Sequence, residues 1–167
     1  MPVITLSHAR TMRDAFHHAG QPVVFTNGHF DLLHVGHLDY LEQARSLGAA
    51  LFVGVNDDPA TETLKGMGRP LVPAAERARL IAALRPVDAA IIFTGETAVG
   101  LIDELRPDIY VKGGDYAAKP LPERATVERY GGRVVLIDLL AGHSTSALIA
   151  KIQALPPISE KGDPNDQ

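Results

Sequence analysis

Short apolar runs alternate with stretches of helical period along most of this 167-residue chain. Five runs read as strands: Val23 to Thr26, Leu51 to Val55, Ala89 to Phe93, Ile109 to Val111 and Val134 to Ile137. The second is apolar throughout, the pattern of a strand covered on both faces. Ser7 can cap a helix over about residues 8–18, and Gly20 can end it. A second helix is expected from Leu38 through Ala44, after His37. Pro73 suits the start of a third, running to about Leu84 before Pro86 stops it. Thr97 can cap a fourth whose stripe is Ala98, Leu101, Ile102 and Leu105, ended by Pro107. Residues 121–130 read as helical, with Gly131-Gly132 turning into the last strand, and Ser144 or Thr145 caps a helix to about Ala154. Asn56-Asp57-Asp58-Pro59 breaks the second strand, and residues 59–72, without a clear period, read as a functional loop holding one short helix. The alternation predicts an α/β domain over residues 1–154, with a parallel sheet covered by helices. Residues 155–167, proline-containing and charged, read as a disordered tail.

Composition narrows the function. A hydrophobic fraction of 46% and a charged fraction of 22% are those of an ordinary globule. The net charge is −4 and there is no run of Lys or Arg, which argues against a nucleic-acid surface. Any attraction for phosphate must therefore come from a local cluster. With no cysteine, disulfides and thiolate metal sites are excluded. The first residues lack the pattern of a signal peptide, and no apolar run approaches the roughly 20 residues of a membrane helix. A cytoplasmic enzyme is expected, with neither membrane nor nucleic acid as partner.

The most informative segment is Gly28-His29-Phe30-Asp31-Leu32-Leu33-His34-Val35-Gly36-His37, placed where the first strand feeds a helix. Free N–H groups at a helix N-terminus attract anions such as phosphate. The pattern G-x-F-D-x-x-H-x-G-H resembles the signature of the nucleotidyltransferase superfamily that contains the small cytidylyltransferases and adenylyltransferases. Within it, the chain is most similar to the enzymes that make nucleoside-diphosphate heptoses, the D-glycero-D-manno-heptose 1-phosphate adenylyltransferases. The matching segments are Thr26-Asn27-Gly28 with Phe30-Asp31, Leu64-Lys65-Gly66 with Arg69-Pro70, Val111-Lys112-Gly113-Gly114-Asp115-Tyr116, and Ser144-Thr145. The resemblance implies a Rossmann-like three-layer α/β/α sandwich with a five-stranded parallel sheet. It also implies transfer of AMP from ATP to a sugar 1-phosphate, with pyrophosphate released and no covalent intermediate. Mg²⁺ would be held mainly by the triphosphate and water, with no protein metal ligand. A homodimer and a separate sugar kinase in the pathway are expected on the same ground. Two other readings stay open: the same reaction on glycerol 3-phosphate, ethanolamine phosphate or FMN, or with CTP or GTP, and a non-catalytic nucleotide-binding module.

Individual residues take roles within that frame. His34 and His37, three apart, can face one phosphate, and by resemblance they stabilise the transition state at the α-phosphate; capping or core packing is the plain alternative. By the same resemblance Thr26, Asn27, Gly28, Phe30 and Gly36 are assigned to the nucleotide, Gly28 and Gly36 letting backbone approach it. Asp31 either holds the turn through backbone N–H groups or meets ligand. His29 replaces a residue usually small or apolar in the family, and either tunes substrate choice or sits at the rim. Lys65 contacts the triphosphate or the sugar phosphate by resemblance, from a Gly-flanked loop it shares with Arg69, expected on the sugar phosphate. Arg77 lies at helical spacing with Leu80, Ile81 and Leu84, on the stripe facing the core, so it needs a carboxylate such as Glu76 or a phosphate. Phosphate is expected. Lys112 and Gly113 are assigned to the nucleotide, and Gly114, Asp115 and Tyr116 to the sugar phosphate. Ser144, Thr145 and Ser146 open the last helix as a β/γ-phosphate site beside His143. In glycerol-phosphate cytidylyltransferases an arginine typically stands five residues before that first serine. Here Leu139 does, which favours the heptose branch.

Overall fold

A computed structural model describes residues 3–117 and 120–156. In order, its elements are α1 Leu6–His18, β1 Val23–Gly28, α2 Val35–Arg45, β2 Ala50–Asn56, α3 Asp58–Lys65 and α4 Ala74–Ala82. They continue with β3 Ala89–Phe93, α5 Val99–Leu105, β4 Ile109–Gly113, a 3₁₀ turn Gly114–Ala117, α6 Arg124–Arg129, β5 Arg133–Ile137 and α7 Thr145–Gln153. The five strands form one parallel sheet in the order β3-β2-β1-β4-β5. β1 and β4 are neighbours, and there the strand order reverses, opening a crevice beyond their carboxyl ends.

Because side chains alternate along a strand, each face of the sheet builds its own core. Val24, Leu51, Val53, Ala90 and Val111 pack with Tyr40 and Leu41 of α2 and Ala78 and Ile81 of α4. Val23, Phe25, Phe52, Ile91 and Tyr110 pack on the other side with Ala9 of α1, Leu101, Ile102 and Leu105 of α5, and Val127 of α6. The result is the three-layer α/β/α sandwich. α7 stands apart from both cores and has no buried residue.

The differences from the sequence expectation lie at element ends. Thr5 rather than Ser7 caps α1, its hydroxyl accepting from His8 N. Ala98, not Thr97, is the cap position of α5, and Pro73 sits at the cap of α4 rather than inside it. α2 begins at Val35, so His37 lies within its first turn and His34 is its cap residue. The break after β2 starts a helix: Asp57 accepts from Ala60 N and Pro59 occupies the first turn of α3. The tail assigned to residues 155–167 lies outside the described residues from 157 onward. No helix among the described residues is long and apolar enough to cross a membrane.

Candidate active site

The carboxyl ends of β1, β2 and β4, the first turn of α2, the end of α3 and the start of α7 surround a cavity of about 580 Å³. The strand ends supply Asn27 and Gly28, Asn56, and Lys112 and Gly113. The histidine segment adds His29, Phe30, His34, Gly36 and His37. Lys65 enters from α3, Tyr116 from the 3₁₀ turn, and His143 with Ser144, Thr145 and Ser146 from the N-terminus of α7. Segments up to 119 residues apart in sequence, from Asn27 to Ser146, thus converge on one crevice at the switch point.

At the centre, the rings of His34 and His37 stack with centroids 3.9 Å apart. The Phe30 ring meets His37 edge-on at 5.4 Å. Phe30 adopts a left-handed backbone, φ 48°, uncommon for a bulky residue, and so turns its ring back under the imidazole. Gly28 leaves room for that ring: a Cβ there would lie 3.1 Å from it. At Gly36 a Cβ would stand 3.0 Å from His143 Cβ and 3.1 Å from His34 Nδ1. Both glycines therefore make space for side chains of the site itself. Burial first, then the neighbouring His34, pushes the His37 imidazole down to about 4. His34 is lowered by burial and by His143. Both rings are thus neutral near pH 7. His37 Nδ1 accepts from His34 N–H at 3.4 Å, which leaves the ring proton on Nε2. His34 Nδ1 is buried and has no hydrogen-bond partner among the described residues.

The far wall is a polar lattice at the strand ends. Tyr110 donates to Asn27 Oδ1 at 2.7 Å, and Lys112 Nζ donates to Asn27 O at 3.0 Å. Lys112 is only 8% exposed and lies over the rings of Tyr110 and Tyr116, 5.8 and 5.3 Å from their centroids. It is not the solvated lysine of a simple Gly-Gly turn. Burial, with Glu123 nearby, drives the Tyr110 phenol far up, so it serves as a fixed donor.

Several residues expected to meet ligand are committed elsewhere. Thr26 is fully buried: its hydroxyl donates to Val111 O at 3.0 Å and accepts from the Tyr40 hydroxyl at 2.7 Å, tying β1 to β4 and α2. Asp31 accepts from the backbone N–H groups of Leu71 and Val72 and from Arg69 Nε. Burial alone would raise its pKa, but those three donors outweigh it and hold the carboxyl below its ordinary range. Its role is to moor residues 69–72 to the histidine segment, and Arg69 is spent on the same anchor. Arg77 is fully buried and is not among the residues that line the cavity. Its guanidinium donates to Asp58 Oδ1 at 2.6 Å, to Val72 O at 2.7 Å and to His29 O. Gly114 packs toward Asp138, whose Oδ1 a Cβ would meet at 3.0 Å. The Asp115 side chain lies outside what is described. Lys65 occupies the last turn of a helix rather than a loop, followed by Gly66 at φ 92°.

Other lining residues were not singled out in the sequence. Asn56 ends β2, donates to Gly95 O at 3.0 Å and lines the cavity. Its signal was a polar residue closing a fully apolar strand at the sheet's carboxyl edge. Glu123, 4% exposed, accepts from Ala98 N at 2.9 Å, which tertiary folding alone reveals.

Comparison with known proteins points the same way as the geometry. A family model described as cytidylyltransferase-like matches residues 25–159. The "Bifunctional protein HldE" of Syntrophotalea carbinolica is 53% identical over 133 residues, covering 80% of this chain and 27% of that protein. Its namesake from Magnetococcus marinus is 46% identical over 148 residues, covering 89% and 30%. The chain therefore spans under a third of the length of these relatives. A solved structure of the lipopolysaccharide core biosynthesis protein from Thermoplasma volcanium GSS1 is 28% identical with a TM-score of 0.61, covering 72% of this chain and 98% of that one. Pantoate-beta-alanine ligase from Francisella tularensis, 13% identical, covers 95% of this chain and 82% of its own at a TM-score of 0.58, a likeness of fold alone.

Proposed function

The chain belongs to the cytidylyltransferase-like family, and on that premise we propose that it transfers AMP from ATP to a sugar 1-phosphate, D-glycero-D-manno-heptose 1-phosphate, releasing pyrophosphate. The observation that carries the proposal is the stacked, neutral His34–His37 pair beside a helix N-terminus bearing three hydroxyls in one cavity. An oxygen of the acceptor phosphate attacks the α-phosphorus. As that P–O bond forms, the bond from the α-phosphorus to the bridging oxygen breaks, and pyrophosphate carries the electrons away. Charge gathers on the α-phosphate oxygens, where the His37 Nε2–H is available as donor. Ser144 caps α7 through Ala147 N, the Thr145 hydroxyl reaches Leu32 O, and the N–H groups of that turn would take the leaving phosphates. Lys65 and the buried Lys112 supply positive charge across the cavity. No side chain needs to form a covalent bond, so positioning and charge stabilisation carry the rate.

Mg²⁺ belongs to this proposal as part of the nucleotide substrate, held by phosphate oxygens and water. Among the described residues no three His, Asp or Glu side chains gather as a metal cage, and an ion carried on its substrate needs none. The acceptor assignment rests on the heptose-type segments around Lys65 and Lys112 and on Leu139, which lines the cavity wall as an apolar residue. A homodimer is part of the same proposal. So is a sugar kinase acting earlier, in a separate chain or, as the word "bifunctional" in the relatives' name suggests, in a longer one.

Pyrophosphate release measured across ATP, GTP, CTP and UTP, each with heptose 1-phosphate, glycerol 3-phosphate and FMN, tests this directly. Selective turnover of ATP with the heptose is expected. Selective turnover of another pair would keep the chemistry and replace the substrate. Nucleotide binding with no release anywhere would make the chain a binding module.

A further inference from the structure

His29 has a hydrogen-bonding arrangement that fixes which of its nitrogens carries the proton. Its Nδ1 lies 2.9 Å from Thr61 Oγ1. That hydroxyl also lies 2.7 Å from Asp57 O, a carbonyl that can only accept, so the single Thr61 proton is committed there. Thr61 is fully buried and cannot turn to water. His29 Nδ1 must then be the donor to Thr61, and its Nε2 is left as a bare lone pair on a residue that lines the cavity. Arg77 donates to His29 O and holds its backbone from behind. Burial first, then the cations Lys65, Arg77 and Lys112, keep the ring neutral near pH 7, against a smaller opposing effect of Asp31.

A neutral imidazole presenting a lone pair repels phosphate oxygens and accepts from a hydroxyl. The position of His29 says whose hydroxyl. The sheet order β3-β2-β1-β4-β5 puts α3, which follows β2, and α7, which follows β5, on opposite sides of β1. In-line displacement places the nucleophile and the leaving group on opposite sides of the α-phosphorus. With pyrophosphate leaving toward α7, the attacking molecule occupies the α3 side, beside Lys65 and His29.

We propose that His29 is a specificity-determining residue whose Nε2 accepts a hydrogen bond from a hydroxyl of the phosphorylated sugar acceptor, with Thr61 as the positioning residue that sets its tautomer. This rests on the sugar-phosphate reading above. It predicts that a sugar phosphate carrying a hydroxyl within reach of the phosphate held by Lys65 is preferred over its deoxy counterpart. A single neutral hydrogen bond of this kind is worth about tenfold in kcat/KM.

The test pairs a series of singly deoxygenated heptose 1-phosphates with wild-type protein, His29→Ala and Thr61→Val. In wild type, one deoxy analogue should lose about tenfold in kcat/KM. With His29→Ala the parent sugar falls to the level of that analogue, and the KM for ATP stays put. Thr61→Val keeps the imidazole but frees its tautomer, so discrimination should shrink while a merely structural His29 would leave it unchanged. Equal deoxy penalties in wild type and His29→Ala, or a KM change confined to ATP, would overturn the proposal. A readout that does not need turnover keeps the two readings separable. In ¹⁵N NMR of the free protein, His29 should show a protonated Nδ1 and a bare Nε2, with Nε2 shifting on addition of heptose 1-phosphate and less with the deoxy analogue. If that shift occurs without pyrophosphate release from any pair, the reaction assignment fails and the His29 site stands. An Nε2–H tautomer, or a shift driven by ATP alone, sinks the His29 site whatever the turnover.

Discussion

Replacing Arg77 with methionine separates a structural arginine from a phosphate-binding one. The side chain is fully buried and bonds to Asp58, to Val72 O and to His29 O, which joins α4 to α3, to the loop before α4 and to the histidine segment. Breaking a buried charge pair by removing one partner costs about 3–5 kcal/mol. The Asp58 side chain is 45% exposed, so its stranded carboxylate regains water and that part of the cost is screened. Two carbonyls still lose their donor, at roughly 1 kcal/mol or more each. Methionine refills most of the volume, so the lower end applies: about 3 kcal/mol. For a domain of this size each kcal/mol moves Tm by about 2–4 °C, which gives a fall of about 6–12 °C by calorimetry. Steady-state kinetics on the folded variant, well below its Tm, should show the KM for ATP little changed. A variant that melts within about a degree of wild type while its KM for a phosphate substrate rises at least tenfold would refute this account and restore the phosphate role that helical spacing suggested.

Three further perturbations bear on the site. His37→Ala should keep its Tm within a few degrees yet lose on the order of a hundredfold in kcat, the effect of deleting one preorganised donor; undiminished turnover in a folded variant would remove His37 from the chemistry. Gly36→Ala puts a methyl 3.0 Å from His143 Cβ and 3.1 Å from His34 Nδ1, so those side chains must shift and turnover should fall about tenfold; undiminished activity in the folded variant would contradict the crowding. Finally, His29 and His37 are held down to about 4 in the folded chain, whereas the unfolded chain protonates them near 6.5. The unfolded state therefore binds more protons between those values, and stability is full above about pH 7 and declines as pH falls toward 4. Urea midpoints at pH 7.5 and 5 should differ in that direction, and by less in His37→Gln; midpoints independent of pH would speak against buried neutral rings.

What the sequence disclosed depended on how local the cause was. β3 could be placed to the residue because an apolar run between turn signals carries its own boundaries. The junction of β1 and α2 was legible because the strand, the glycine turn and the two imidazoles are contiguous. Arg77 shows where such reading stops. Spacing placed it on the core stripe and so required a partner, but the partner is Asp58 on another helix, 19 positions away, not the adjacent Glu76. Asp31 is similar: its donors come from Arg69, Leu71 and Val72, about 40 residues on, and only tertiary folding turns a motif carboxylate into a mooring. Thr26 sits in a segment that matches the family's nucleotide site, yet the alternation of a central strand points its hydroxyl into the layer of β4 and α2. Lys65 reads as loop because its helix spans only eight residues, too short for a clear apolar period.

α7 contributes hydroxyls and N–H groups to the cavity although none of its residues is buried. A helix with so little packing behind it is the kind of element that opens locally, at a small fraction of the free energy needed to unfold the sheet. Any anion seated at its first turn then adds its binding free energy to the folding of that helix. Amide hydrogens of Leu148 to Gln153 should thus exchange quickly in the free chain and slow in proportion to nucleotide occupancy. The departing pyrophosphate would take with it the main support of the turn that held it, so emptying the site and loosening its wall become one event.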